Sequence, residues 1–206
     1  YINIIMNGFI ILHGKHSGPD WAEDCSLFNL SQHLKQFSVV DFQTYPWGVV
    51  KVEDKHYFKK FEDCVDQIDQ AVAALRNNGA TKIFLVGHSM GGNASIFYAS
   101  QRNNFDGIIL LAPAHNTHLP FFAKMHEWSV NKAKDLISLG LGAQVSHFAD
   151  LDSTGSVEIL EVPAENYYSM LNKDGNANMQ KNARLIKQPI NVLCISGSRD
   201  KTQVEI

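Results

Sequence analysis

A serine flanked by two glycines lies where a strand-like segment meets a helix-like one. Gly87, Ser89 and Gly91 form the pattern G-x-S-x-G, which follows the apolar run 83–86 and precedes small, apolar residues at 94–99. Small residues on both sides let two backbone segments pass closely while the serine takes a strained conformation. This context favours a nucleophile elbow, in which the serine hydroxyl is exposed above a sheet and attacks a substrate. The alternative is an ordinary glycine-rich turn between a strand and a helix.

A serine of this kind has to be held by a strand, a turn and a helix. The rest of the chain shows the alternation of strand-like and helix-like segments that such a fold requires. Short apolar runs typical of buried strands alternate with segments in which apolar residues recur at helical spacing. This alternation predicts an α/β fold whose central sheet is mainly parallel and flanked by helices. The strand-like runs are residues 9–12, 39–42, 83–86, 108–111 and 190–195, and the helix-like segments are 21–37 and 61–75.

The last two strand-like runs are separated by residues 114–189, far more than a crossover between parallel strands needs. We expect a single domain over residues 1–206, in which 114–189 forms a cap or lid insertion beyond the carboxyl edge of the sheet. Aromatic side chains in this insertion either dock it on the core or face a cleft; they are Phe121, Phe122, Trp128, Tyr167 and Tyr168.

Charge and composition exclude several classes of function. The net charge is −3 and the 18 lysines and arginines are scattered, so no basic stripe is available for nucleic acid. No apolar run approaches the roughly 18 residues that span a membrane, and the first residues lack the features of a signal peptide. We therefore expect a soluble, cytoplasmic protein. Cys25, Cys64 and Cys194 are widely spaced and fit neither a disulfide framework nor a metal site.

Three segments resemble the landmark motifs of the α/β-hydrolase superfamily in their usual order. They are Phe-Ile-Ile-Leu-His-Gly at 9–14, Gly-His-Ser-Met-Gly-Gly at 87–92 and Val-Leu-Cys-Ile-Ser-Gly-Ser-Arg-Asp at 192–200. The resemblance covers nearly the whole chain. It implies the α/β-hydrolase fold and acyl transfer through a covalent serine intermediate, with no metal and no organic cofactor.

The resemblance also implies a role for individual residues. Ser89 is the nucleophile, and the backbone N–H groups of Met90 and Lys15 form the oxyanion hole. Asp200, just after the last strand-like run, is the acid that orients the catalytic base. Asp106 and Asp174 are weaker alternatives for the acid, because neither follows an apolar strand at its carboxyl end.

The catalytic histidine has no obvious position in this sequence. The family order is serine, acid, histidine, and no histidine follows Asp200. His13 and His88 resemble structural histidines of the family, while His115 and His118 follow a strand and could line the cleft. We therefore expect the catalytic histidine after Ile206, together with a C-terminal part of the fold that is missing here.

These observations favour a serine hydrolase that cleaves a carboxylic ester or related acyl bond. The aromatic residues of the insertion predict a small, uncharged and partly apolar substrate. Two alternatives stay open: a catalytically silent binding protein with a hydrolase fold, and a relative that uses the same site for haloperoxidase, carbon–carbon hydrolase or lyase chemistry.

Overall fold

The computed structural model describes residues 6–15, 26–36, 38–43, 50–52, 55–57, 59–113, 120–151 and 156–197. Strands and helices alternate over most of this length, as the sequence predicts. In chain order the elements are β1 (Asn7–Leu12), α1 (Ser26–Leu34), β2 (Val39–Gln43), β3 (Val50–Val52), β4 (Lys55–Tyr57), a 3₁₀ turn (Phe61–Asp63), α2 (Cys64–Asn77), β5 (Lys82–His88), α3 (Met90–Gln101), β6 (Gly107–Leu111), α4 (Pro120–Ser138), β7 (Val145–Leu151), β8 (Val157–Pro163), α5 (Ala164–Leu171), α6 (Met179–Ala183) and β9 (Asn191–Ile195).

Five strands form the central sheet in the order β2-β1-β5-β6-β9, and every neighbouring pair is parallel. The prediction of a mainly parallel sheet is therefore confirmed. After β1 the chain adds β2 on one side, and it later adds β5 on the other side. Parallel sheets open a crevice at such a reversal of strand order, beyond the carboxyl ends of the two strands. The crevice here lies beyond β1 and β5.

Helices cover both faces of this sheet. On one face, α2 and α3 pack against Ile10 and Leu12 of β1 and against Ile83 and Leu85 of β5, all of which are buried. On the other face, Leu27 of α1 packs near the alternate strand residues, among them Ile11 and Val86. Side chains of a strand alternate between faces, so strands buried on both sides read as continuous apolar runs. This burial accounts for the apolar runs of β1, β5 and β6. The prediction of a buried strand at 190–195 is wrong in its burial, because every residue of β9, at the edge of the sheet, is exposed.

The segment between β6 and β9 has a small sheet of its own. β7 and β8 pair antiparallel, and α4 and α5 pack beside them. The rings of Phe148 and Tyr167 stack with centroids 4.5 Å apart, and both are fully buried. Tyr167 therefore docks the segment, whereas Phe121 and Trp128 are 66% and 70% exposed. None of the helices in the described ranges has the length and apolarity to cross a membrane.

The first turn of α3 lies directly against the end of β1. A Cβ placed on Gly91 would lie 2.2 Å from the Leu12 carbonyl oxygen, and one on Gly87 would lie 2.4 Å from the Gly91 oxygen. No side chain larger than hydrogen fits either position, because both neighbours are backbone atoms that cannot rotate away. These two glycines are therefore required for the strand–helix junction to close.

We predict that Gly91→Ala lowers the free energy of unfolding by about 3 kcal/mol or more, because the added methyl group displaces backbone. Chemical denaturation measures this change. The control is Gly142→Ala, whose Cβ would lie 3.4 Å from the Ile137 side chain, an ordinary contact. It should change the unfolding free energy by less than about 1 kcal/mol. Equal effects of the two substitutions would contradict the role given to Gly91.

Candidate active site

The candidate site lies at the crevice beyond β1 and β5. Ser89 follows β5 directly and precedes α3, so it occupies the turn between them. Its backbone has φ 51° and ψ −121°, a conformation that residues other than glycine rarely adopt. The turn is held on both sides: the Ser89 N–H donates to the Leu111 carbonyl at 3.2 Å, and the Gly92 N–H donates to the Ser89 carbonyl at 2.9 Å.

This backbone conformation is a strained one. Residues forced into such regions cost about 1–3 kcal/mol each and persist only where the surroundings fix them. The surroundings here are a buried helix, since the residues of α3 from Met90 to Ala99 are all buried. The strain holds the half-buried Ser89 side chain at the carboxyl edge of the sheet, at the mouth of the crevice.

The amino end of α3 adjoins Ser89. Met90 is the first residue of this helix, so its N–H has no acceptor inside the helix. The aligned peptide dipoles also place partial positive charge at this end. The Met90 side chain itself is buried in the core, which fixes the orientation of its peptide group.

The loop after β1 passes over the serine from the other side. A Cβ placed on Gly14 would lie 2.9 Å from the Ser89 Cβ and 3.4 Å from its Oγ. Lys15 is the next residue, and its side chain is only 5% exposed. The structure therefore brings Ser89, Met90 and the loop that carries Lys15 together at one edge of the sheet.

Two histidines adjoin this point without bonding to the serine. His13 is buried, and its Nδ1–H donates to the Gly14 carbonyl at 2.6 Å. Burial lowers the pKa of His88 below its ordinary value, so the ring is neutral near pH 7. In the described part of the chain no histidine forms a hydrogen bond with the Ser89 hydroxyl. His115, His118 and Asp200 lie outside the described residues.

The weaker candidates for the acid take structural positions instead. Asp106 lies before β6, at the amino edge of the sheet, where its carboxylate accepts from the Ile83 N–H at 2.7 Å and faces Arg76 at 3.5 Å. A cavity of about 330 Å³ opens at this same amino edge. Both are remote from Ser89, which lies at the opposite, carboxyl edge. Asp174 belongs to a surface turn, in which its N–H donates to Asn172.

The structure shows a buried ionic cluster beside the site that the sequence did not predict. It consists of Lys15, Asp150 and His126: the Lys15 ammonium pairs with Asp150 Oδ2, and His126 Nε2 lies 3.0 Å from Asp150 Oδ1. The pKa of His126 lies below its ordinary value. Burial lowers it most, and the Lys15 charge lowers it further, whereas the hydrogen bond to the Phe122 carbonyl raises it. Since Lys15 and Asp150 are 135 positions apart, no local pattern marks the pair.

Comparisons with known proteins agree with the fold described above. A model of the serine aminopeptidase S33 family matches residues 47–203. Phospholipase YtpA of Bacillus subtilis is 30% identical over 105 residues, which are 50% of this chain and 36% of that protein's length. Among solved structures, the monoacylglycerol lipase of Paleococcus ferrophilus superposes with a TM-score of 0.58 at 21% identity, covering 91% of this chain and 72% of its own. A soluble variant of Saccharomyces cerevisiae monoglyceride lipase superposes with a TM-score of 0.60 at 16% identity, and the match covers 98% of this chain and 71% of the lipase.

We predict that Ser89→Gly is more stable than Ser89→Ala by about 1 kcal/mol, because glycine adopts positive φ without strain and alanine does not. Both variants remove the hydroxyl, so the comparison isolates the backbone. Parallel denaturant titrations measure the difference. Equal stabilities of the two variants would show that the turn is not strained at this residue.

Proposed function

We propose that this chain, because it belongs to the serine aminopeptidase S33 family of α/β-hydrolases, acts as a serine hydrolase on carboxylic esters. The observation that carries the proposal is the positive φ of Ser89 at the carboxyl edge of the sheet, directly beside Gly14 and the start of α3. A serine held in this way is exposed to a substrate on one side and surrounded by N–H donors on the other.

In the proposed reaction, Ser89 Oγ attacks the ester carbonyl carbon while a base removes the hydroxyl proton. The N–H groups of Met90 and Lys15 stabilise the resulting oxyanion. Collapse of the intermediate expels the alcohol, which takes the proton from the base, and leaves an acyl-serine. Water, activated by the same base, then hydrolyses the acyl-serine. We assign Asp200 to orient the base, and the base itself stays the predicted histidine after Ile206.

The electrostatics of the described residues support an uncharged substrate. Lys15 directly follows the glycine that packs on Ser89, and Asp150 already neutralises its charge. Residues 114–189 are proposed as a cap, on which Phe121, Met125 and Trp128 expose apolar surface at helical spacing along α4. The similar proteins are named as lipases and a phospholipase. We therefore propose an ester with an uncharged, partly apolar acyl group.

We predict that a fluorophosphonate probe labels the full-length protein at Ser89, because the probe reacts with activated serine hydroxyls. Ser89→Ala should abolish labelling. Asp200→Asn should slow it by a factor of about 10⁴ if this carboxylate orients the base. Mass spectrometry of the labelled peptide identifies the serine.

The matched control for this experiment is Ser95→Ala in α3. Ser95 is buried and its hydroxyl donates to the Gly91 carbonyl at 2.9 Å, so its loss should leave labelling at Ser89 in place. A folded wild type that resists the probe, under conditions in which a known serine hydrolase reacts, would contradict the catalytic proposal and favour a silent binding protein.

A second prediction concerns the charge of the substrate. Neutral p-nitrophenyl esters should be hydrolysed with a higher kcat/KM than anionic esters of equal chain length, since Lys15 is already paired with Asp150. Steady-state kinetics on the two series measure the ratio. A preference of more than about tenfold for the anionic series would refute the proposed substrate class.

A further inference from the structure

The ionic cluster of Lys15, Asp150 and His126 joins two distant parts of the chain. Lys15 follows β1 at the site, whereas His126 is on α4 and Asp150 is on β7. The three side chains are almost fully buried, with 5% of Lys15, 5% of His126 and none of Asp150 exposed. Buried charges interact strongly because little water screens them. The cluster therefore fixes the distance between the loop after β1 and the segment that carries β7.

Asp150 is held in place from several directions. Its neighbour Ala149 accepts a hydrogen bond from the Tyr167 hydroxyl at 2.5 Å and donates one to Ser129 Oγ at 2.9 Å. These bonds tie β7 to α5 and α4. His126 Nε2 forms a hydrogen bond of 3.0 Å with the second carboxylate oxygen of Asp150, Oδ1. Asp150 is thus a rigid anchor rather than a side chain that could follow Lys15.

The register of β7 and β8 explains why a cation is required at this point. Asp150 pairs directly with Glu158 across the two strands, and like charges at such positions destabilise a sheet. The Lys15 ammonium contacts Asp150 and lies 3.8 Å from Glu158 Oε1. The lysine therefore offsets one of the two negative charges that β7 and β8 bring together and weakens their repulsion.

The backbone end of Lys15 lies at the candidate site. Its preceding residue, Gly14, approaches the Ser89 side chain so closely that an added Cβ would lie 2.9 Å from the serine Cβ. A residue whose side chain is anchored at one end and whose backbone is packed at the other has little freedom. The Lys15 N–H is the donor that the proposed function gives to the oxyanion hole.

We infer that the Lys15 side chain is a positioning element of the oxyanion hole, which it couples to the segment between β6 and β9 through Asp150. The inference rests on the proposed function. The side chain itself does not touch the reacting atoms; it sets the direction of the peptide N–H that does. A shift of about 1 Å in such a donor is enough to reduce a rate by about 10²-fold.

The experiment measures kcat and KM of the full-length protein on a neutral p-nitrophenyl ester. Lys15→Met and Asp150→Asn should each lower kcat by about 10²-fold and leave KM within about twofold, because the donor acts only in the transition state. The double variant should lose no more than the worse single variant, since one interaction is removed. Lys15→Arg, which keeps the charge, should restore most of kcat.

The matched control is a second ion pair that also reaches the segment between β6 and β9, from the residue before the 3₁₀ turn. Lys60 Nζ lies 2.8 Å from Glu165 of α5, and both side chains are substantially exposed. Lys60→Met removes an exposed link that involves neither Lys15 nor Asp150, and it should leave kcat and KM unchanged. Asp150→Asn keeps the size of the side chain but removes the charge that holds the Lys15 ammonium. If Lys15→Met fails to fold, Asp150→Asn still tests the inference, because it breaks the same ion pair from the other side.

Three results would overturn the inference. An active wild type with unchanged kcat in folded Lys15→Met and Asp150→Asn would show that the cluster only stabilises the segment. Additive losses in the double variant would show that the two residues act separately. A folded wild type that hydrolyses none of the esters overturns the proposed function itself, and the role of Lys15 fails with it.

Discussion

The close approach of α3 to the end of β1 is the constraint on which the candidate site depends. Because the Gly91 backbone lies against the Leu12 carbonyl, the chain must turn from β5 into α3 within a single residue. Ser89 is that residue, and its positive φ is the consequence. The same approach brings the loop after Leu12 onto the serine. One packing contact between backbones therefore determines both the strain at Ser89 and the composition of its surroundings.

The fold tolerates this strain because α3 is fixed far more firmly than the turn is strained. Its buried residues lie between the sheet and the neighbouring helices, and burial of each large apolar side chain contributes about 1.5–3 kcal/mol. Asn93 adds a buried hydrogen bond of 2.7 Å to the Ala177 carbonyl, just before α6. The strain at one residue, about 1–3 kcal/mol, is small beside these contributions. The helix keeps its place, and the serine keeps the orientation that the helix dictates.

Electrostatics connect this junction to the segment between β6 and β9. Lys15 lies one residue beyond the glycine that packs on Ser89, and its charge is neutralised by Asp150 on β7. The pairing removes a free cation from the edge of the site and fixes the loop that contains it. Substrate preference and the geometry of the donors are therefore two consequences of a single buried ion pair, under the function proposed for the chain.

The sequence by itself determined the parallel sheet and the serine turn, because each rests on local signals. Buried parallel strands are continuous apolar runs, and the turn at Ser89 needs glycines at fixed spacing. Only the tertiary structure decided that Lys15 meets Asp150, that Tyr167 is buried in the core rather than facing a cleft, and that Asp106 lies at the opposite edge from Ser89. Periodicity reports whether a residue is buried but not which distant side chain it meets. That partner is chosen by the packing of whole elements, such as the antiparallel register that places Asp150 opposite Glu158 and next to the loop after β1.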